Sequence, residues 1–185
     1  HRDRIESPHA DILKADDVKA LVGQVVAKHG RLDILVNLAG GFAMGTVEDT
    51  AEADWDGMIA LNLKSAFLCC KAAVPEMKRN GWGRILCIAS RPGALGVGGL
   101  AAYSVAKGGI ITLVRTLADE VRDDDITVNA VAPSVIDTPA NRGAMPDADF
   151  SRWVTPEDIA HVLAFLAGEE ARAVSGAMIP VYGKA

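Results

Sequence analysis

Basic residues are the minority in this 185-residue chain, where 19 Lys and Arg stand against 24 Asp and Glu for a formal charge of −5. That deficit argues against nucleic acid or an anionic membrane as a main partner, since both select basic surfaces. Cysteine is scarce. Cys69 and Cys70 are adjacent in a helical pattern and Cys87 lies in a strand-like run, with no C-x-x-C spacing, so all three read as small core residues. The histidines, His1, His9, His29 and His161, lack metal-ligand spacing, and no metal is expected. No apolar run approaches the roughly 20 residues of a membrane span and no signal peptide is legible, so a cytoplasmic location is the expectation. The chain also opens without Met, in a charged stretch from His1 to His9, and position 1 is not expected to be the natural start.

Hydrophobic residues make up 50% of the chain, enough for one domain with a sizeable core over 1–185. Ala10 to Leu13 is a short apolar piece that reads as a strand. Val18, Leu21, Val22, Val25 and Val26 then follow helical spacing, with Gly30 as the stop. Leu32 to Val36 is a nearly continuous apolar run, the pattern of a strand buried on both faces. A long helix is expected from Glu52 to Arg79, with Ile59, Leu63, Phe67, Cys70, Val74 and Met77 on one stripe. Further strands are expected at Arg84 to Ala89, Ile126 to Ala132 and Ala177 to Val181. Between them come a helix from about Tyr103 to Val121, a loop from Pro139 to Val154 and a helix capped at Thr155. Strands alternating with helices of this length imply an α/β fold, a parallel sheet covered on both faces.

The stretch Ser90 to Lys107 carries the chemistry. It leaves a buried strand, crosses a loop with Gly93, Gly96, Gly98 and Gly99, and enters a helix on which Tyr103 and Lys107 lie four apart, on one face. An ammonium beside a phenol favours the phenolate and would lower the tyrosine pKa toward the working pH, making it a proton donor or acceptor. Ser90, at the strand end, can offer a hydrogen bond to a substrate oxygen. Taken alone, Tyr103 and Lys107 would read as a half-buried tyrosine beside a solvated lysine.

Their surroundings change that. Asn37-Leu38-Ala39-Gly40 follows a strand, Asn62 interrupts an apolar helix in N-L-K-S-A-F, Ser90 lies thirteen residues before Tyr103, and Pro133-Ser134-Val135-Ile136-Asp137-Thr138 follows the next strand. These motifs, in this order, resemble those of the short-chain dehydrogenase/reductase family. Leu38 stands in place of an Asn, and Ser134 in place of a Gly where a Cβ would narrow the nicotinamide site.

The resemblance implies a Rossmann-like, doubly wound parallel sheet in three α/β/α layers, with sheet order 3-2-1-4-5-6-7. It also implies an oxidoreductase that moves hydride between NAD or NADP and a ketone, aldehyde or secondary alcohol. Tyr103 would transfer the proton, Lys107 lower its pKa and hold the nicotinamide ribose, Ser90 polarise the carbonyl, and Asn62 bend its helix and hold a relay water. Asp11 and Ile12 would contact adenine; Asn37, Ala39 and Gly40 the adenosine and phosphate side; Pro133, Ile136 and Thr138 the carboxamide. A homodimer or homotetramer is implied through the long helix and the Tyr-Lys helix, with Met58, Leu68 and Val105 as outward apolar residues. Apart from the resemblance, Arg91, directly after Ser90, would either bias the site toward acidic or electron-rich substrates or simply point to solvent. Two rival readings are a catalytically silent dinucleotide sensor or scaffold, and, within enzymes, a dihydropteridine-reductase-like activity. The family's T-G-x-x-x-G-x-G loop and strands one and two have no counterpart before Asp11. The chain is therefore expected to be part of a longer one that as written binds a dinucleotide weakly, with Arg2 or Asp3 trailing the residue that chooses NAD or NADP.

Overall fold

The computed structural model describes residues 5–184; Arg2 and Asp3 lie outside the described residues. Four parallel strands form one sheet in the order β1 (Ile34–Asn37), β2 (Gly83–Ile88), β3 (Ile126–Pro133), β4 (Met178–Val181). Register is continuous across it, with Val36 opposite Leu86, Leu86 opposite Asn129, and Val131 opposite Ile179. Each crossover carries helices, as parallel strands require. This order matches the last four positions of the implied sheet.

Helices α3 (Ser65–Asn80) and α5 (Ala101–Glu120) cover one face, where Ala66, Cys70, Met77, Ile110 and Val114 pack with Ile85, Cys87, Val128 and Ala130. Helix α7 (Pro156–Ala167) covers the other, where Ile159 and Leu166 meet Leu86 and Val131. Its start is a capping box: Thr155 Oγ1 accepts from Asp158 N–H at 3.1 Å while the Asp158 carboxylate accepts from Thr155 N–H at 3.0 Å. Helix α1 (Ala15–His29) packs on α3. Asn129, in the middle of β3, is a structural amide, donating to Val174 O at 2.7 Å and accepting from Ala177 N–H at 3.1 Å.

Several expectations need correction. Ala10 to Leu13 is a turn, not a strand: the Asp11 carboxylate accepts from Leu13 N–H at 3.0 Å and its carbonyl from Lys14 N–H at 3.0 Å, so the backbone is satisfied locally. The run at Leu32 to Val36 is not buried on both faces. β1 is the sheet edge among the described residues, with Ile34 42% and Val36 38% exposed. The glycine-rich loop begins with a short helix, α4 (Arg91–Leu95), capped by Ser90, and the loop at 139–154 contains α6 (Pro139–Ala144) and a 3₁₀ turn at Phe150–Arg152. In the long helix the residues facing the sheet include small Ala66 and Ala73, which let it approach closely, and Phe67 is left 45% exposed beside Lys71. Leu68, expected to face outward, is buried. By length and composition the continuous helical stretch Glu52–Asn80 could cross a membrane, which no run in the sequence suggested; Ala66, Cys70, Ala73 and Met77 seat it on the sheet instead.

Candidate active site

The carboxyl end of a parallel sheet collects loops that can hold ligands, and here candidate residues follow three of the strands. β1 ends at buried Asn37, and Leu38 to Gly41 leave the sheet edge. β2 ends at Ile88, whose carbonyl accepts from Lys107 Nζ at 2.9 Å. Two residues later Ser90, buried, caps α4 by accepting from Gly93 N–H at 3.0 Å. β3 ends at Pro133, from which Ser134 to Thr138 continue.

Asn62 ties the loop after β1 to a bent helix. Helix α2 (Glu52–Met58) runs into α3 through a π-helical turn at Ile59–Lys64, with fully buried Asn62 inside it. Such wide turns often mark functional sites. Asn62 Nδ2 donates to Met58 O at 3.1 Å, and Oδ1 accepts from Gly41 N–H at 3.1 Å, tying the loop after β1 to the bent helix. Contact is close enough that a Cβ on Gly40 would lie 2.6 Å from Asn62 Oδ1 and 3.2 Å from Lys107 Nζ. Glycine is therefore dictated at 40 by crowding. Gly93 plays the same part between α4 and α5, where a Cβ would fall 2.6 Å from Lys107 Cβ. The Lys107 side chain is thus boxed in from two sides.

Electrostatics follow from that enclosure. Burial pulls the Lys107 ammonium down from 10.5 to about 8. Tyr103 departs from the sequence expectation: burial pushes its phenol up, the neighbouring Ser90 hydroxyl partly offsets the rise, and Lys107 is not among the causes. The lysine head is turned to the Ile88 carbonyl, so within this protein the expected lowering of the phenol pKa by the ammonium is not seen.

Two candidate cofactor contacts are engaged within the chain, Thr138 through its side chain and Ile136 through its carbonyl. Thr138 caps α6, its Oγ1 accepting from Asn141 N–H at 3.2 Å, and Asn141 Nδ2 donates to Ile136 O at 2.8 Å. This ladder, with Asp137 N–H donating to Val154 O at 2.7 Å, fixes the segment after β3. Ser134 Oγ donates to Tyr182 O at 2.9 Å, so the hydroxyl is directed at the chain end of β4. Asp11 and Ile12 are half-buried in their turn, and Ala39 is half-buried between Asn37 and Gly40.

Two neighbours, Phe42 and Tyr182, carry no mark in the sequence, and a third, Met58, expected to face outward, turns to Asn62. Phe42 meets the Tyr103 ring edge-on, centroids 5.0 Å apart. Met58 contacts Asn62 through its carbonyl and sulfur. Tyr182 lies under the Arg91 guanidinium at 5.6 Å, so Arg91 leans over the end of β4. None shares a motif with the others. A cleft of about 310 Å³, lined by Met44, Met58 and Ala102 among others, opens beside the site, although Ser90, Tyr103 and Lys107 do not line it.

The geometry fits a nicotinamide cofactor by the chemistry of its donors. The buried Lys107 ammonium has three N–H groups and uses one on protein among the described residues, and Gly40 brings bare backbone against it.

Comparison with known proteins agrees. The profile of a family described as enoyl-(acyl carrier protein) reductase matches residues 3–183. The chain is 41% identical to the (2S)-[(R)-hydroxy(phenyl)methyl]succinyl-CoA dehydrogenase subunit BbsD of Thauera aromatica, over 97% of this chain and 75% of that protein. It is 33% identical to the D-beta-hydroxybutyrate dehydrogenase of Rhizobium meliloti, over 94% of this chain and 75% of the other. Among solved structures, ElxO with NADP bound superposes with a TM-score of 0.92 at 29% identity, covering 98% of this chain and 78% of that one. On a profile spanning nearly the whole sequence and relatives above 30% identity matched over three quarters of their length, the chain belongs to the short-chain dehydrogenase/reductase family of NAD(P)-dependent oxidoreductases.

Proposed function

We propose that Ser90, Tyr103, Lys107 and Asn62 form the reaction centre of an enzyme that interconverts a ketone or aldehyde and the corresponding alcohol. The observation that carries this reading is the enclosure of Lys107 one helical turn from Tyr103, with the Ser90 hydroxyl beside the phenol. When bound, NAD or NADP supplies or accepts the hydride. Lys107 would hold its ribose hydroxyls through the free N–H groups; Asn37, Ala39 and Gly40 would take the adenosine side, Asp11 and Ile12 the adenine, and Pro133, Ile136 and Thr138 the carboxamide.

In carbonyl reduction, Ser90 donates a hydrogen bond to the substrate oxygen and Tyr103 passes its phenolic proton to the same oxygen as negative charge develops there. A phenol pushed up by burial is protonated at neutral pH, so the centre is set as an acid, ready for reduction. Oxidation of an alcohol asks for the phenolate and is favoured at higher pH. Asn62 Oδ1 and Lys107 Nζ both border the spot that a Cβ on Gly40 would occupy, and one water between them would relay a proton back to the Tyr103 phenolate after its own has gone to the substrate.

Replacing Tyr103 by Phe removes the transferred proton and almost no volume. Turnover of a carbonyl panel with NADH and NADPH is expected to fall by about 10²-fold or more, with unchanged thermal unfolding. Wild-type turnover by a folded Tyr103→Phe variant would sink the mechanism.

A homodimer or homotetramer through α3 and α5 is proposed on Phe67 and Val105, which are 45% and 50% exposed; a stable monomer in sedimentation would count against it.

A further inference from the structure

Loop 41–45 is pinned at both ends. Gly41 N–H is held by Asn62 Oδ1 at 3.1 Å. Gly45 makes two backbone bonds at the start of α5, donating to Gly99 O at 2.8 Å and accepting from the N–H of Ala101, the first residue of the helix, at 3.0 Å. Between these anchors stand Phe42, Ala43 and Met44. Phe42 is 61% exposed, yet its ring meets Tyr103 at 5.0 Å between centroids with planes 74° apart. One edge of this aromatic pair is fixed against the proposed acid while the rest of the Phe42 ring is open. Single exposed apolar residues are ordinary; one held by two backbone anchors in contact with the phenol is placed on the approach to the reacting atoms.

From this geometry we infer that Phe42 is a specificity-determining residue, selecting substrates whose reacting carbon carries a flat, unsaturated substituent such as an aryl group. The inference deepens the proposed function and rests on Tyr103 being the proton donor. A substrate oxygen hydrogen-bonded to the Tyr103 phenol puts the substituents of its carbon beside that ring, within reach of Phe42. A flat π-system can stack or meet edge-to-face there, as aromatic pairs prefer; a puckered saturated ring of equal size cannot match either arrangement. Because the loop is anchored, the ring is pre-organised and little ordering is left for binding to impose.

The probes are acetophenone and cyclohexyl methyl ketone, which differ in flatness and π-character far more than in size. With the full chain and NADPH, wild type should favour acetophenone in kcat/KM by about fivefold, the scale of one aromatic pair. Phe42→Leu should bring the ratio close to one. Independently of turnover, acetophenone should shift the ring-proton NMR resonances of Phe42, and the saturated ketone should not. A ratio unchanged in Phe42→Leu, or Phe42 resonances unmoved by acetophenone, overturns the inference. Failure of the underlying reading looks different: Tyr103→Phe would then retain turnover whatever the aryl preference.

Discussion

Two cations are buried at opposite ends of the sheet, both touching β2, and they are held in opposite ways. Arg84, at the start of the strand, is fully buried. Its Nη1 donates to the Gly83 and Asp125 carbonyls at 2.9 and 3.2 Å, its guanidinium stacks 4.2 Å from the Trp82 ring, and the Glu169 carboxylate stands 3.7 Å away while accepting from Trp82 Nε1 at 2.8 Å. Nε and Nη2 find no hydrogen-bond acceptor among the described residues. Lys107, against the end of the strand, has one carbonyl and no carboxylate within ion-pair distance among the described residues. A guanidinium cannot shed its proton in a protein, so the fold surrounds it with carbonyls, a ring and a carboxylate. An ammonium can, and burial has brought Lys107 to about 8. The permanent charge ties structure together where no ligand loops gather, and the adjustable one sits among the candidate catalytic groups.

If that division holds, the two cations fail differently when removed. Lys107→Met should cost at least about 10²-fold in turnover and leave stability at neutral pH unchanged or higher, because it removes a buried charge whose burial was unfavourable. Arg84→Ala should do the reverse. It leaves two carbonyls short of a donor and a cavity under Trp82, an expected loss of about 3 kcal/mol, while the folded fraction keeps the wild-type pH profile. Urea unfolding alongside steady-state assays separates the two; equal losses of activity at equal stability would erase the contrast.

A third cation makes a smaller test. Arg91 is half-buried over Tyr182, between the structural and the chemical extremes. Arg91→Met is expected to raise KM for anionic carbonyl substrates about threefold to tenfold over neutral ones, the scale of a partly screened charge, with kcat little changed. Equal effects on both substrate types would assign Arg91 to packing alone.

What the sequence made legible follows from the same physics. Helical spacing puts Tyr103 and Lys107 on one face, but the pair reads as chemistry only in the company of Ser90, Asn37 and Pro133 at the ends of apolar runs. Asn62 stands out as an amide in an apolar helix. Phe42 carries no such mark, since it reaches Tyr103 through space across a loop whose path depends on Asn62 and Gly45. The direction of the Tyr103 shift was also hidden: spacing brings a lysine near, but the Ile88 carbonyl decides where its head points. Asp11 misled because an apolar alternation looks like a strand until its own carboxylate closes a turn. The exposed flank of β1 does not show in the strand's own residues, as burial on both faces depends on neighbours.

The central claim, that Lys107 is the adjustable buried cation of this site, is tested most directly by following its ¹³Cε NMR signal against pH, with Lys107→Met to assign it. Burial lowers the native pKa, so between about 8 and 10.5 the unfolded chain binds a proton that the native chain has lost, and this residue's contribution to stability rises with pH across that window. The account predicts a titration midpoint of about 8 and a wild-type stability that gains on Lys107→Met as pH climbs through that window. A midpoint at or above 10.5, with no pH-dependent difference between the two proteins, would contradict it.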